Sequence, residues 1–173
     1  YNNTVPIVTT DYDDKIYLFG GSLNDTSFYE ENVLVYDPKT EEIVTKSCKF
    51  GSSNADYSGV VYRDKAYICW NYYIHIYDFK NDTLEKISLS LSPTAVFVYQ
   101  DNLYFYASKK VYKFNIETNT PEETDWTFNA VAGSNIVLYD DELYFTTSLG
   151  YLSSYNLAKI FFIKRVKILN LSQ

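Results

Sequence analysis

The chain has few of the residues on which metal binding, disulfide frameworks and most catalysis depend. Its 173 residues include two Cys, one His, four Pro, six Gly and no Met. Cys48 and Cys69 are too few for a disulfide framework and lack the spacing of zinc ligands. One histidine, His75, is poor material for a His-rich metal site or a Ser-His-Asp triad. We therefore expect no cofactor, no metal, no catalytic residues and no enzymatic activity.

Signals for membrane insertion and for phosphate binding are also missing. No run approaches the roughly 20 apolar residues of a transmembrane helix. The segment Gly51-Ser52-Ser53 is not followed by the Gly-Lys-Ser/Thr of a phosphate-binding loop. The net charge of −7 disfavours nucleic acid as the main partner, because phosphate binding needs a basic face.

The small number of Cys favours a reducing, cytoplasmic location. The chain starts at Tyr1 rather than Met, which indicates a fragment or a processed product and leaves a removed leader open. Asn-x-Ser/Thr sequons occur at Asn2, Asn24, Asn81 and Asn170. Such matches arise by chance in a chain rich in Asn and Thr, so their use stays open.

Tyr and Phe, by contrast, are abundant, with 19 and 11 copies, and Tyr recurs in a repeated motif. The motif reads Tyr, any residue, Asp, any residue, apolar, Tyr. Its four copies begin at Tyr12, Tyr62, Tyr99 and Tyr139, so that successive copies are 50, 37 and 40 residues apart. A β-rich period of this length is typical of propellers and related repeat arrays.

Each copy of the motif predicts a β-hairpin followed by two further strands. Runs rich in Val, Ile, Tyr and Phe flank the motif, and its Asp suits a tight turn. A third strand is predicted to end in an aromatic residue followed by Asp37, Asp78, Asn115 or Asn156. A polar turn and a short fourth run complete the four strands of a propeller blade.

The predicted fold class is therefore all-β, a β-propeller built of four-stranded antiparallel blades. We place four blades at about 5–50, 56–91, 94–128 and 131–169 within a single domain, 1–173. Propellers have four to eight blades, and neither end of this chain resembles a capping segment. We expect the chain to be part of a larger propeller, completed by missing sequence or by another chain. The total blade number and the way the ring closes stay open.

The C-terminal stretch from Lys159 to Gln173 contains four basic residues and no acidic ones. We expect Ile160 to Ile168 to form the fourth strand of the last blade. The alternative is a basic amphipathic tail that binds a membrane or a partner.

The repeat resembles the kelch repeat. The first unit matches best, with Ile16-Tyr17-Leu18-Phe19-Gly20-Gly21 and then Val35-Tyr36-Asp37. At the double-Gly position the other units have Trp70-Asn71, Ala107-Ser108 and Thr147-Ser148. No Trp-Asp dipeptide closes a third strand, which disfavours the WD40 type. The resemblance implies a propeller that acts mostly as a protein-interaction module.

In kelch-like propellers the loops between strands two and three share a face with the blade-to-blade loops. The resemblance therefore implies a partner-binding face there, and loops on a rigid scaffold commonly carry function. Our candidates are Leu23, Phe28, Tyr29, Phe50, Trp70, Asn71 and Tyr72. Phe28 and Tyr29 are equally compatible with packing between blades, and for Trp126 we expect packing.

The function we predict is a non-catalytic protein–protein interaction scaffold with an adaptor, cytoskeletal or assembly role. Its partner is another protein, whose identity and pathway stay open. One alternative is a secreted sugar-binding or enzymatic propeller, which would need titratable residues converging at the channel mouth. Another is a structural subunit completed within a larger complex.

Overall fold

A computed structural model of the chain describes residues 8–19, 32–48, 58–127, 132–147 and 152–157, and these residues form an all-β structure. They contain fifteen strands in four antiparallel sheets, arranged as the four blades of a β-propeller. The predicted fold class is confirmed. Because the described residues form no helix, none of them belongs to a helix that could cross a membrane.

The strands follow one another in chain order within each blade, as expected of a meander. Blade 1 contains β1 Val8–Tyr12, β2 Lys15–Phe19, β3 Asn32–Asp37 and β4 Glu42–Ser47. Blade 2 contains β5 Ser58–Tyr62, β6 Lys65–Trp70, β7 Tyr73–Asp78 and β8 Thr83–Ser88. Blade 3 contains β9 Ala95–Tyr99, β10 Asn102–Ala107, β11 Lys110–Asn115 and β12 Thr120–Thr127. In blade 4 the described strands are β13 Ala132–Tyr139, β14 Glu142–Thr147 and β15 Leu152–Asn156. The strand predicted at Ile160 to Ile168 lies outside the described residues.

The third strand of every blade ends at the predicted Asp or Asn, and in blades 1 to 3 that side chain organises the turn that follows. Its oxygen accepts a hydrogen bond from the backbone N–H two residues further on, as in an Asx turn. The pairs are Lys39 to Asp37 at 2.9 Å, Lys80 to Asp78 at 2.9 Å and Glu117 to Asn115 at 3.0 Å.

The first hairpin of three blades has two central residues with positive φ. They are Asp13 and Asp14 (51° and 60°), Gln100 and Asp101 (46° and 55°), and Asp140 and Asp141 (49° and 59°). Two positive φ values match the right-handed twist of the flanking strands. The Asp of the repeated motif therefore has a local structural role, since Asp tolerates this conformation better than most residues.

The blades pack face to face through three apolar clusters. Cluster 1–2, between blades 1 and 2, includes Phe19, Val33, Ile68, Trp70 and Tyr77. Cluster 2–3 includes Cys69, Ile74, Leu103, Phe105 and Phe114. Cluster 3–4 includes Phe97, Tyr104, Val111, Trp126 and Leu143. The innermost strands also contact one another in succession, β1 with β5, β5 with β9 and β9 with β13.

Strand alternation gives each blade two packing faces. We call the face toward the preceding blade the leading face and the face toward the following blade the trailing face. In blade 2, Ala66 and Ile68 lie on the leading face and belong to cluster 1–2. Tyr67 and Cys69 lie on the trailing face and belong to cluster 2–3. A central blade is therefore buried on both sides.

Candidate functional site

The structure describes three of the seven residues predicted to bind a partner, and they lie together at one corner of blade 2. Trp70 ends β6, Tyr73 begins β7, and Asn71 and Tyr72 form the turn between them. The other four candidates, Leu23, Phe28, Tyr29 and Phe50, lie outside the described residues.

The turn of this corner is fixed by its backbone. Asn71 has a φ of 53°, a left-handed value that Asn adopts more readily than most residues. The N–H of Leu89, just after β8, donates to the carbonyl of Tyr72 at 2.7 Å. Tyr72 is 57% exposed at the tip of the turn. An exposed aromatic side chain is thus held on a rigid part of the blade.

Trp70 is buried beneath the turn and supports it. Its ring stacks on Tyr73, with the centroids 5.9 Å apart, and on His75 at 6.0 Å. The Lys86 ammonium lies 3.9 Å from the Tyr73 ring centroid and 5.5 Å from that of Trp70, which places it for cation–π attraction. We call Trp70, Asn71, Tyr72, Tyr73 and Lys86 the blade-2 corner.

His75 is fully buried in β7. It lies on the leading face of blade 2, whereas Ile74 and Ile76 belong to cluster 2–3 on the other face. Among the described residues, no group of three or more His, Cys, Asp or Glu is placed to hold a metal ion. Cys48 and Cys69 are free thiols, both buried, and burial raises the pKa of each.

The opposite rim of the propeller carries a shallow groove of about 320 Å³ between blades 2 and 3. Side chains of both charges line it, including Arg63, Asp101, Lys113 and Glu122. Arg63 and Asp101 pair across the blades at 3.3 Å, and both side chains are exposed. The groove is open to solvent and its charges are mixed, so it presents no single binding chemistry.

Tyr hydroxyls of the repeated motif join neighbouring blades along this rim, a role that sequence reasoning missed. Tyr12 donates to the carboxylate of Asp64 at 2.8 Å. Tyr62 donates to the backbone carbonyl of Asp101, also at 2.8 Å. In the third blade, burial and then the Asp141 carboxylate raise the pKa of the Tyr99 phenol. In blades 1 and 2 the first Tyr of the motif thus contacts the motif Asp of the next blade.

Lys80 also binds Asp64. The Lys80 ammonium is the main cause that lowers the pKa of the Asp64 carboxyl, and the Tyr12 hydroxyl is the second. Asp64 therefore accepts hydrogen bonds from Tyr12 of the preceding blade and from Lys80 of its own blade. The signal was available in the sequence, since every copy of the motif contains both the Tyr and the Asp.

Comparison with models of known protein families and with curated proteins found no match. The described residues form four blades of a β-propeller.

Proposed function

We propose that this chain is a kelch-like, non-catalytic scaffold that binds another protein through the blade-2 corner. The observation that carries the proposal is the position of Tyr72, 57% exposed on a turn that a backbone hydrogen bond holds in place. Rigid aromatic side chains are favoured anchors at protein interfaces, because they bury a large area at a small entropic cost.

The surroundings of Tyr72 support this use. Trp70 and Tyr73 stack beneath the turn, so little reorganisation of the corner is needed on binding. Lys86 adds one positive charge beside the aromatic rings. The partner that we expect offers an apolar pocket for Tyr72 with acidic or carbonyl oxygens near Lys86.

The kelch-like part of the proposal rests on blade 1. The Ile16-Tyr17-Leu18-Phe19 run lies in β2, and the Tyr36-Asp37 pair ends β3, as the kelch unit requires. With this resemblance we also propose an adaptor or assembly role in the cytoplasm. The free, buried thiols of Cys48 and Cys69 are compatible with a reducing compartment.

Site-specific photo-crosslinking in an extract of the source cells tests the proposal. A photoreactive phenylalanine derivative would replace Tyr72 in one protein and Glu117, an exposed residue of the opposite rim, in a control. We expect a discrete protein adduct from position 72 that an excess of unlabelled wild-type chain removes. A Tyr72→Ala competitor should remove it at least tenfold less effectively, and a Tyr72→Phe competitor nearly as well as wild type. Identical adducts from both positions would contradict the proposal.

A structural subunit completed within a larger assembly is the second candidate function. It is favoured by the large apolar side chains that blades 1 and 4 expose on their outward faces, among them Ile43 and Leu152.

A further inference from the structure

The trailing face of blade 4 is exposed where the same face of every other blade is buried. Val33, Ile74 and Val111 occupy equivalent positions in the third strands of blades 1 to 3, and each is 0% exposed. Leu152 has the same register in blade 4 and is 68% exposed. Blade 4 thus has a blade-packing face that no described residue covers.

The first strand of blade 4 shows the same contrast. Tyr62 and Tyr99 are 7% and 4% exposed, whereas the equivalent Tyr139 is 71% exposed. Val137 is 62% exposed, although Phe97, its counterpart in blade 3, is 3% exposed. The exposed patch therefore extends from the innermost strand to the third strand of the blade.

The leading face of blade 1 is the second uncovered face. Ile43 is 66% exposed, but its counterpart Leu84 in blade 2 packs against cluster 1–2. Leu18 is half-buried, whereas Ile68 and Phe105 at the equivalent positions are fully buried. The leading face of blade 1 is therefore exposed, whereas blades 2, 3 and 4 bury their leading faces against the preceding blade.

Polar residues at the two ends match those of an interface already present within the chain. Between blades 1 and 2, Tyr12 of the trailing face donates to Asp64, which also binds Lys80. Asp13 lies next to this pair and acts electrostatically on Tyr12. The interface thus combines Tyr and Asp from one blade with Asp and Lys from the next.

The same four residue types recur at the ends of the chain. Tyr139 and Asp140 occupy in blade 4 the motif positions of Tyr12 and Asp13. In blade 1, Asp14 takes the place of Asp64 and Lys39 the place of Lys80, and their side chains already pair at 2.7 Å. Asp14 and Lys39 are 76% and 72% exposed, so both are accessible to an incoming blade.

We propose that the trailing face of blade 4 in one copy packs on the leading face of blade 1 in a second copy, with Tyr139 donating to Asp14. Each chain carries both halves of this interface, so a second copy covers both exposed faces. Such a head-to-tail contact forms a ring if its rotation closes. Two copies would supply eight blades, which lies within the range of known propellers. The proposal goes beyond the scaffold function and does not depend on the blade-2 corner.

Two charge substitutions at exposed positions test the head-to-tail geometry. Ile43→Glu blocks the leading face of blade 1, and Leu152→Glu blocks the trailing face of blade 4. Each variant alone should have the mass of one chain by light scattering, because every interface uses one of each face. An equimolar mixture of the two variants should form pairs again. In the mixture, the intact blade 4 of the Ile43→Glu chain can pack on the intact blade 1 of the Leu152→Glu chain. Circular dichroism and the melting temperature of each variant would show that it is folded.

Several results would overturn the proposal. A wild-type chain that stays single up to its solubility limit would do so, as would variants that assemble like wild type. Loss of assembly in only one variant would indicate a contact between like faces instead, and open polymers would contradict a closed pair.

A conservative variant tests the hydrogen bond itself. Tyr139→Phe should weaken the association by about tenfold at each interface, because one hydrogen bond to a carboxylate is lost. Tyr72→Phe makes the same chemical change at the blade-2 corner and should leave the association unchanged. Equal effects of the two variants would exclude the assigned role of Tyr139. The association of two copies and the protein adduct at position 72 are measured separately. If a variant loses one and keeps the other, this proposal and the scaffold function are distinguished.

Discussion

Tyr suits this propeller because one side chain serves both the apolar cluster and the rim. The ring of Tyr77 is fully buried in cluster 1–2, while its hydroxyl donates to Asp82 at 2.7 Å. Tyr12 and Tyr62 combine packing and hydrogen bonding in the same way. A buried Tyr ordinarily finds such a partner for its hydroxyl. Blade packing therefore explains most of the Tyr residues that the structure describes.

Asp82 gives a prediction at this scale, since it joins blade 1 to blade 2. Lys46 and then Tyr77 lower its pKa below the ordinary Asp value of about 3.9. The deprotonated carboxylate is thus favoured by folding, and its contribution is present above that ordinary value. It is lost as the pH falls through the lower pKa of the folded state.

We expect Asp82→Asn to lower the melting temperature at neutral pH, because the ion pair with Lys46 at 2.5 Å is lost. The difference from wild type should shrink as the pH falls below 4 and vanish in stronger acid. Melting curves across this range measure it. The matched control is Glu85→Gln, an exposed residue of β8. A difference that stays constant with pH would contradict the assignment.

At the residue scale, the sequence predicted local roles better than cross-blade roles. The motif Asp was predicted to form a turn, and positive φ values at Asp14, Asp101 and Asp141 confirm it. The hydrogen bond from Tyr12 to Asp64 spans 52 residues and was not predicted. Such a contact depends on how two blades stack, which a pattern within one repeat does not specify.

The strands show which elements a hydrophobic pattern can and cannot predict. The apolar run Ala66 to Cys69, which directly follows the second copy of the motif Asp and Lys65, lies within β6, and the strand adds one residue at each end. By contrast, β12 extends over Thr120–Thr127, whereas the short fourth run that the sequence shows in this blade is only Trp126 to Phe128. Pro121 and the acidic residues after it lack the apolar pattern of a buried strand, because most side chains of β12 are exposed. Outer strands therefore carry a weaker sequence signal than inner ones.

Close contact between β1 and β5 yields a prediction at the element scale. A Cβ on Gly59 would lie 2.5 Å from Val8 Cγ1, well inside van der Waals contact. We expect Gly59→Ala to destabilise the chain by about 1–3 kcal/mol, the usual cost of overpacking. Urea unfolding measures the change.

The compensating variant Val8→Ala identifies the cause of that loss. Combined with Gly59→Ala it should cost less than the sum of the two single changes, because the clash is removed. Additive effects of the two substitutions would show that the loss arises elsewhere, for example from the β-strand backbone.

The whole molecule is a linear series of blades in which each blade packs on its neighbours. Clusters 1–2, 2–3 and 3–4 share no residue, and each one spans two adjacent blades. The stability of such an array is approximately a sum of blade and interface contributions. Weakening one interface should therefore separate the blades on its two sides.

Phe105→Ala tests this at the central interface. Phe105 is fully buried in cluster 2–3, and its truncation should cost about 3–5 kcal/mol. Hydrogen exchange should then show blades 1 and 2 opening separately from blades 3 and 4. The matched variant Phe97→Ala, in cluster 3–4, should instead release blade 4 from the other three. Equal acceleration of exchange in all blades by both variants would contradict the linear arrangement.

The repeat predicted four blades and their order because each motif lies within one blade. The lack of capping segments predicted that the terminal blades need a further packing partner. The repeat did not identify Val137, Tyr139 and Leu152 as the exposed residues, since the pattern of their blade is the pattern of a buried one. Binding at Tyr72 also stays a prediction. The surface that binds a partner is determined in part by the partner itself. The apolar pattern of the sequence indicates only which residues are buried within this chain.

The two Trp residues give this protein a built-in optical readout. Trp70 lies in cluster 1–2, and Trp126 lies in cluster 3–4 with its ring 4.9 Å from that of Tyr104. Cluster 2–3 contains no Trp. Indole fluorescence therefore reports the first and last blade contacts and is silent on the middle one. Replacing either Trp with Phe would leave a single emitter, so that separation of the two ends of the array can be followed without an added dye.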